Sequence, residues 1–147
     1  MTNAFEIKNE IFTRLKSAVT AQVPECRVSG EYRGTPSGFP AVTLEEKNNT
    51  VLAETSEASL IQTAVSLMYE INVYTNTVGY REDEARELML LCDTVMSGLG
   101  FTRTMASPVP NLADSTIYRM TARYEGIARQ EQTATETTPS EYRIYQR

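Results

Sequence analysis

Carboxylates are the side chains in this sequence most plentifully placed for chemistry. Glu82, Asp83, Glu84 and Glu87 lie close together, and Glu45, Glu46, Glu54 and Glu57 gather in a second polar stretch. Paired carboxylates can hold a divalent cation or divide acid and base roles in hydrolysis. Each group also has a simpler reading. The first sits where a helix begins, and negative charge there gains about 0.3–1 kcal/mol per residue from the helix dipole. The second reads as a solvated loop. Glu70 stands apart inside the apolar run LMYEINVY. It is either a buried acid with a raised pKa or the partner of water or a neighbouring arginine.

The rest of the catalytic repertoire is missing. The chain has no histidine, which removes the commonest general base, proton shuttle and metal ligand. Ser–His and Cys–His nucleophile pairs are therefore excluded. The two cysteines, Cys26 and Cys92, are too far apart in sequence for a CxxC pair and too few for a thiolate zinc site. Cys92 falls in an apolar helical pattern, and both read as reduced structural thiols. The segment GTPSG, Gly34–Gly38, lacks the Lys-Ser/Thr ending of a phosphate loop and reads as a turn. In YRMTARYEGIAR, Tyr118, Arg119, Arg123, Tyr124 and Arg129 interleave bases with aromatics. One such strand reads equally well as a nucleic-acid platform or as arginines facing Glu70-type acids across a sheet. The expectation is a protein that is not an enzyme and carries no cofactor and no metal.

Periodicity supplies the elements. Ile7, Ile11, Leu15 and Ala18, widened by Phe5, Phe12 and Val19, make the apolar stripe of a first helix. Thr2 or Asn3 would cap it and Pro24 would end it. A loop punctuated by Gly30, Gly34, Pro36 and Gly38 leads to a short strand at Pro40–Glu45. Glu45–Ser59 reads as a projecting polar hairpin or loop, with Asn48-Asn49 as its turn and Val51-Leu52 as a weak strand. A long strand then runs over Leu60–Tyr74. Its Leu67, Tyr69, Ile71 and Val73 share one face, and Met68, Glu70, Asn72 and Tyr74 the other.

The clearest helix is Arg81–Leu99, with a stripe of Ala85, Leu88, Cys92, Val95 and Leu99 broadened by Met89, Leu91 and Met96. Gly98 and Gly100 offer left-handed stops. Phe101–Ala106 reads as a strand broken by SPVPNLADS, and Thr116–Arg129 as its hairpin partner. From Gln130 the chain is rich in Thr, Glu and Gln, which predicts an arm that frays or lends Tyr142, Ile144 and Tyr145 to another subunit's sheet.

These elements give an α+β fold: two helices on one face of an antiparallel or mixed sheet, with a projecting polar hairpin and an extended C-terminal arm. One domain, 1–129, precedes the arm, 130–147. The 147 residues are 41% hydrophobic and 22% charged, an ordinary globular balance. At this length roughly 68–70% of the unfolded surface is buried, so no disulfide or metal is needed to fold. The net charge of −5 offers no general attraction to nucleic acid or anionic membrane. The start, MTNAFEIKNE, has acids and no continuous apolar run, so neither a secretion signal nor a membrane span is expected.

The order of elements resembles the tail terminator (tail-completion, head-tail joining) proteins of long-tailed bacteriophages. The likeness is carried by GFPAVTLEE, SLMYEINVYTN, REDEARELMLLCDTVMSGLGF and STIYRMTARYEGI, and it spans about Asn3–Arg129. The resemblance implies a structural virion protein in the neck of the tail, assembled in the host cytoplasm. It implies a homo-oligomeric ring, a hexamer, that caps the tail tube and joins tail to head. Its partners would be itself, the tail-tube protein, a head-completion or connector protein, and genome DNA passing through without sequence-specific binding. Met68, Glu70, Asn72 and Tyr74 would then face a neighbouring subunit or the lumen. Glu45, Glu46, Glu54 and Glu57, with Tyr142, Ile144 and Tyr145, are further candidates for that interface or lumen. An acidic inner wall would repel DNA phosphates and leave the channel slippery. Three other readings stay open: a tail-tube or head-completion subunit, a small carboxylate–metal enzyme, and an adaptor whose sheet edge binds peptides.

Overall fold

The first helix, α1 (Ile7–Gln22), buries Ile7, Ile11, Leu15 and Val19, one residue per turn along a single stripe. A computed structural model gives this arrangement and describes residues 5–31, 36–55, 61–110, 114–130 and 142–144. Val19 holds the last core position of the stripe, Ala18 is half-buried, and Phe5 lies exposed before the helix. Glu6 is the N-cap residue and makes no side-chain cap; the expected caps Thr2 and Asn3 lie outside the described residues. The helix ends at Gln22, just before Pro24, whose ring cannot continue it.

Strand β1 (Arg27–Ser29) follows, where the sequence reading has only loop. It pairs in parallel with the start of β2 (Ala41–Thr55), Arg27 opposite Ala41 and Ser29 opposite Thr43. Strand β3 (Ile61–Thr75) runs antiparallel to β2 along its full length. Asn48 and Asn49 are therefore strand residues rather than a turn. The irregularity in this region is a bulge between Glu46 and Asn48, which places Lys47 outside the ladder register. The Asn-Asn signal fails because neighbouring strand pairing overrides a local turn preference. The projecting hairpin is β2–β3 itself, and residues 56–60 between the two strands lie outside the described residues.

Helix α2 (Arg81–Gly98) buries Ala85, Leu88, Met89, Cys92 and Met96, with Leu91 and Val95 packed at the margin. Gly98 remains helical and Gly100 takes the left-handed conformation at φ 96°. Strand β4 (Thr102–Val109) then runs through Ser107 and Pro108, past the expected break at Ala106. Among the described residues β4 is an edge strand that pairs with β5 (Tyr118–Gln130) alone, and at an edge a proline removes no needed hydrogen bond. The strand order is β1-β2-β3-β5-β4, a mixed sheet with both helices on one face. A last strand, β6 (Tyr142–Ile144), pairs antiparallel with Ala128–Gln130 of β5 in the same chain. Tyr145 lies outside the described residues.

The core fills the space between helices and sheet. Leu67, Tyr69, Ile71 and Val73 of β3, Val42 and Leu44 of β2, and Ala122 and Tyr124 of β5 meet the two helical stripes. Burying each large aliphatic side chain contributes about 1.5–3 kcal/mol. Phe101 stands edge-on to Tyr69, with ring centres 5.5 Å apart. Gly126 makes room for it: a Cβ there would lie 2.6 Å from Phe101 Cδ1. Cys26 and Cys92 are both buried and free. Burial, then the charges of Glu25 and Glu84, pushes the Cys26 thiol up to about 12. Cys92 is likewise pushed up to about 12, by burial first and then by Cys26. Among the described residues, no helix is long and apolar enough to cross a membrane.

Candidate functional site

The face of the sheet turned away from the helices holds the polar residues that the sequence places inside strands. Alternation along β3 sends Met68, Glu70, Asn72 and Tyr74 there, and the register sets Arg119, Thr121 and Arg123 of β5 beside them. Tyr74 lies opposite Arg119, Asn72 opposite Thr121, and Glu70 opposite Arg123. On the other flank, Thr43 lies opposite Asn72 and Glu45 opposite Glu70.

The result is a hydrogen-bonded network whose centre, Glu70, Asn72 and Thr121, is buried and whose cations, Arg119, Arg123 and Lys47, reach outward to the surface. Asn72 is fully buried, and its Oδ1 accepts from Arg119 Nε at 2.9 Å and from the Thr121 hydroxyl. Its Nδ2 donates to Glu70 at 3.1 Å. Glu70 also accepts from Arg123 Nε at 3.0 Å, the partner that the sequence offers as one of two readings. Two carboxylates facing each other across strands repel, so Glu45 and Glu70 need cations. Lys47, at the bulge, pairs with Glu45 at 3.0 Å and adds its charge to that of Arg123 near Glu70. Burial alone would raise the Glu70 pKa; the hydrogen bonds from Asn72 and Arg123 and the two positive charges outweigh it. Glu70 is held below the usual carboxylate range.

At the end of the network the Arg119 guanidinium lies 5.6 Å from the centre of the Tyr74 ring. Tyr74 packs with Ala41, Ile117 and Phe39 in a small second cluster on this face. Glu70, Asn72 and Tyr74 are therefore covered within the chain itself, while Met68 is half-buried and Arg123 exposed. The Thr43 hydroxyl is buried with no hydrogen-bond partner among the described residues.

The remaining candidates separate. Glu46 points to the helix side, where its carboxylate accepts from the Tyr69 hydroxyl at 2.9 Å. Glu54 belongs to β2, and Glu57 lies outside the described residues. Tyr142 and Ile144 belong to β6. The acids of α2 are distributed over its first turns: Glu84 accepts from Thr77, Glu87 accepts from Tyr80, and Glu82 pairs with Arg86. Among the described residues, no group of three or more potential ligands could hold a metal.

The backbone adds a feature that the sequence reading lacks. β2 pairs with β1 only over Ala41–Thr43, so among the described residues Leu44–Thr55 has a partner on one side alone. Such an edge is a place where another strand can add. The edge arises because β2 has fifteen residues and β1 has three.

No family model and no curated protein matches the chain. The fold has a solved counterpart. A chain in the structure titled "Virion of native gene transfer agent (GTA) particle" superposes with a TM-score of 0.51 at 13% identity. The match covers 91% of this chain and 90% of that one. At that identity the likeness is one of fold, and it runs through nearly the whole of both chains.

Proposed function

We infer that this chain is a structural subunit of a phage-like virion, and within that class a tail terminator. In this reading it closes into a ring at the end of the tail tube and joins tail to head while genome DNA passes through. The observation that carries the reading is the end-to-end fold likeness to a chain of a virion particle. The sequence resemblance to tail terminators narrows it to that role. The absence of histidine and the structural employment of Glu46, Glu70, Glu84 and Glu87 favour action by shape and contact rather than turnover.

The open edge of β2 supplies a way to build a ring. A head-to-tail contact along that edge joins different surfaces of successive copies and closes if the rotation per subunit is right. The exposed Val51 beside this edge would be covered by the next copy. The test is electron microscopy of the purified chain mixed with tail tubes from the same particle. Terminators appear as single rings at tube ends and stop elongation. Incorporation along the tube, or no association with its ends, would sink the reading; incorporation would identify a tube subunit instead.

A further inference from the structure

One end of the sheet carries an apolar prominence. β3 leaves for α2 through Thr77–Tyr80, and Val78 at the tip is 95% exposed. The turn is built rather than loose. Gly79 takes φ 79°, a conformation that costs glycine little. The Tyr80 N–H donates to the Thr77 carbonyl at 3.1 Å. The Thr77 hydroxyl donates to Glu84, and the Tyr80 hydroxyl donates to Glu87 at 2.6 Å. Two side chains on the helix therefore hold the turn that presents Val78.

A hollow of about 530 Å³ adjoins the same end, lined by Pro108, Val109, Pro110, Ile117 and Tyr118. The register places it there: Thr75, the last residue of β3, lies opposite Tyr118, and Val109 of β4 lies opposite Arg119. The Arg81 guanidinium donates to the Thr116 carbonyl at 2.8 Å and ties the two loops together. Pro108 and Pro110 lack N–H groups, so this wall is unsuited to strand addition and suited to side-chain burial.

We propose that this end docks a different protein, through an apolar contact centred on Val78 and a cationic rim on the partner. The charge argument decides between occupants. Glu82, Asp83 and Glu87 on α2 and Asp114 before β5 are exposed at this end, and although Arg86 pairs with Glu82 and Arg119 lines the hollow, acids outnumber bases. A second copy meeting the same surface across a two-fold axis would oppose an acid excess to an acid excess, which disfavours that pairing. A partner with Lys or Arg around an apolar socket fits instead. The turn is already ordered, so little conformational entropy remains to be lost on docking. The inference deepens the assembly reading, since a ring subunit needs a contact along the axis as well as around it.

The experiment pans a displayed library of short random peptides against the purified chain, then measures binding to wild type, Val78→Asp and Leu90→Asp. Leu90 is an exposed apolar control on the outer face of α2. The expected result is enrichment of peptides with an apolar residue flanked by Lys or Arg. Their binding should weaken with salt and fall roughly tenfold or more in Val78→Asp, with Leu90→Asp unchanged. Binders that ignore Val78, acidic binders, equal loss in both variants or no binders at all overturn the proposal. Self-association lost in Val78→Asp would make a second copy the occupant and overturn it too. A chain that never forms rings leaves this binding test intact, so the two failures are distinguishable.

Discussion

Removing Arg123 should cost stability through Glu70, and the cost should depend on pH. Glu70 is buried, and Arg123 Nε sits 3.0 Å from its carboxylate, with Asn72 and Lys47 as its other support. Breaking a fully buried pair costs about 3–5 kcal/mol. The Arg123 side chain, however, is 47% exposed, so water replaces part of the interaction and Arg123→Ala should cost about 1–2 kcal/mol. The double-mutant cycle with Glu70→Gln should give a coupling near 1 kcal/mol. The folded pKa of Glu70 lies below its unfolded value of 4.5. Its contribution is therefore complete above pH 4.5 and is lost as pH falls through the lower folded value. Urea unfolding followed by circular dichroism, at about pH 7 and again below the folded pKa, measures both effects at one fixed protein concentration. Additive mutations at neutral pH, or a coupling that survives acid unchanged, would refute the network as drawn.

Other outcomes follow from single contacts. Gly126→Ala drives a methyl into Phe101 and should destabilise by about 1–3 kcal/mol in the same unfolding assay. Thr43→Val removes a buried hydroxyl without a partner among the described residues and should be neutral or stabilising by up to about 1 kcal/mol. Both cysteines, buried with thiols pushed up to about 12, should resist a thiol-reactive dye at mildly alkaline pH until the chain unfolds. Val51→Lys at the open edge should leave stability within about 0.5 kcal/mol while lowering the yield of rings by light scattering.

The sequence made the layers legible and left the edges obscure. Leu67–Val73 and the α2 stripe declare themselves because burial on one face imposes a strict period on residue type. The pairing of Glu70 with Arg123 was legible as one option among two, since opposite charges sat on two alternating strands. What could not be read depends on pairing between distant segments. β1 is three residues long and owes its existence to Ala41–Thr43 rather than to its own composition. Asn48 and Asn49 carry a turn signal, yet Met68 and Leu67 of β3 pair with them and hold them straight. Pro108 looked like a break because the sequence did not say that β4 is an edge. The burial of Asn72 and Tyr74 came from Arg119, Ile117 and Phe39, none of which is near them in sequence.

If this chain works by assembling, its mass in solution shows it. Light scattering on the purified chain, alone and with tube ends present, should reveal a closed species of fixed mass near six times the 16.5 kDa subunit. A mass that stays at one subunit under both conditions, or grows without limit as concentration rises, would contradict it.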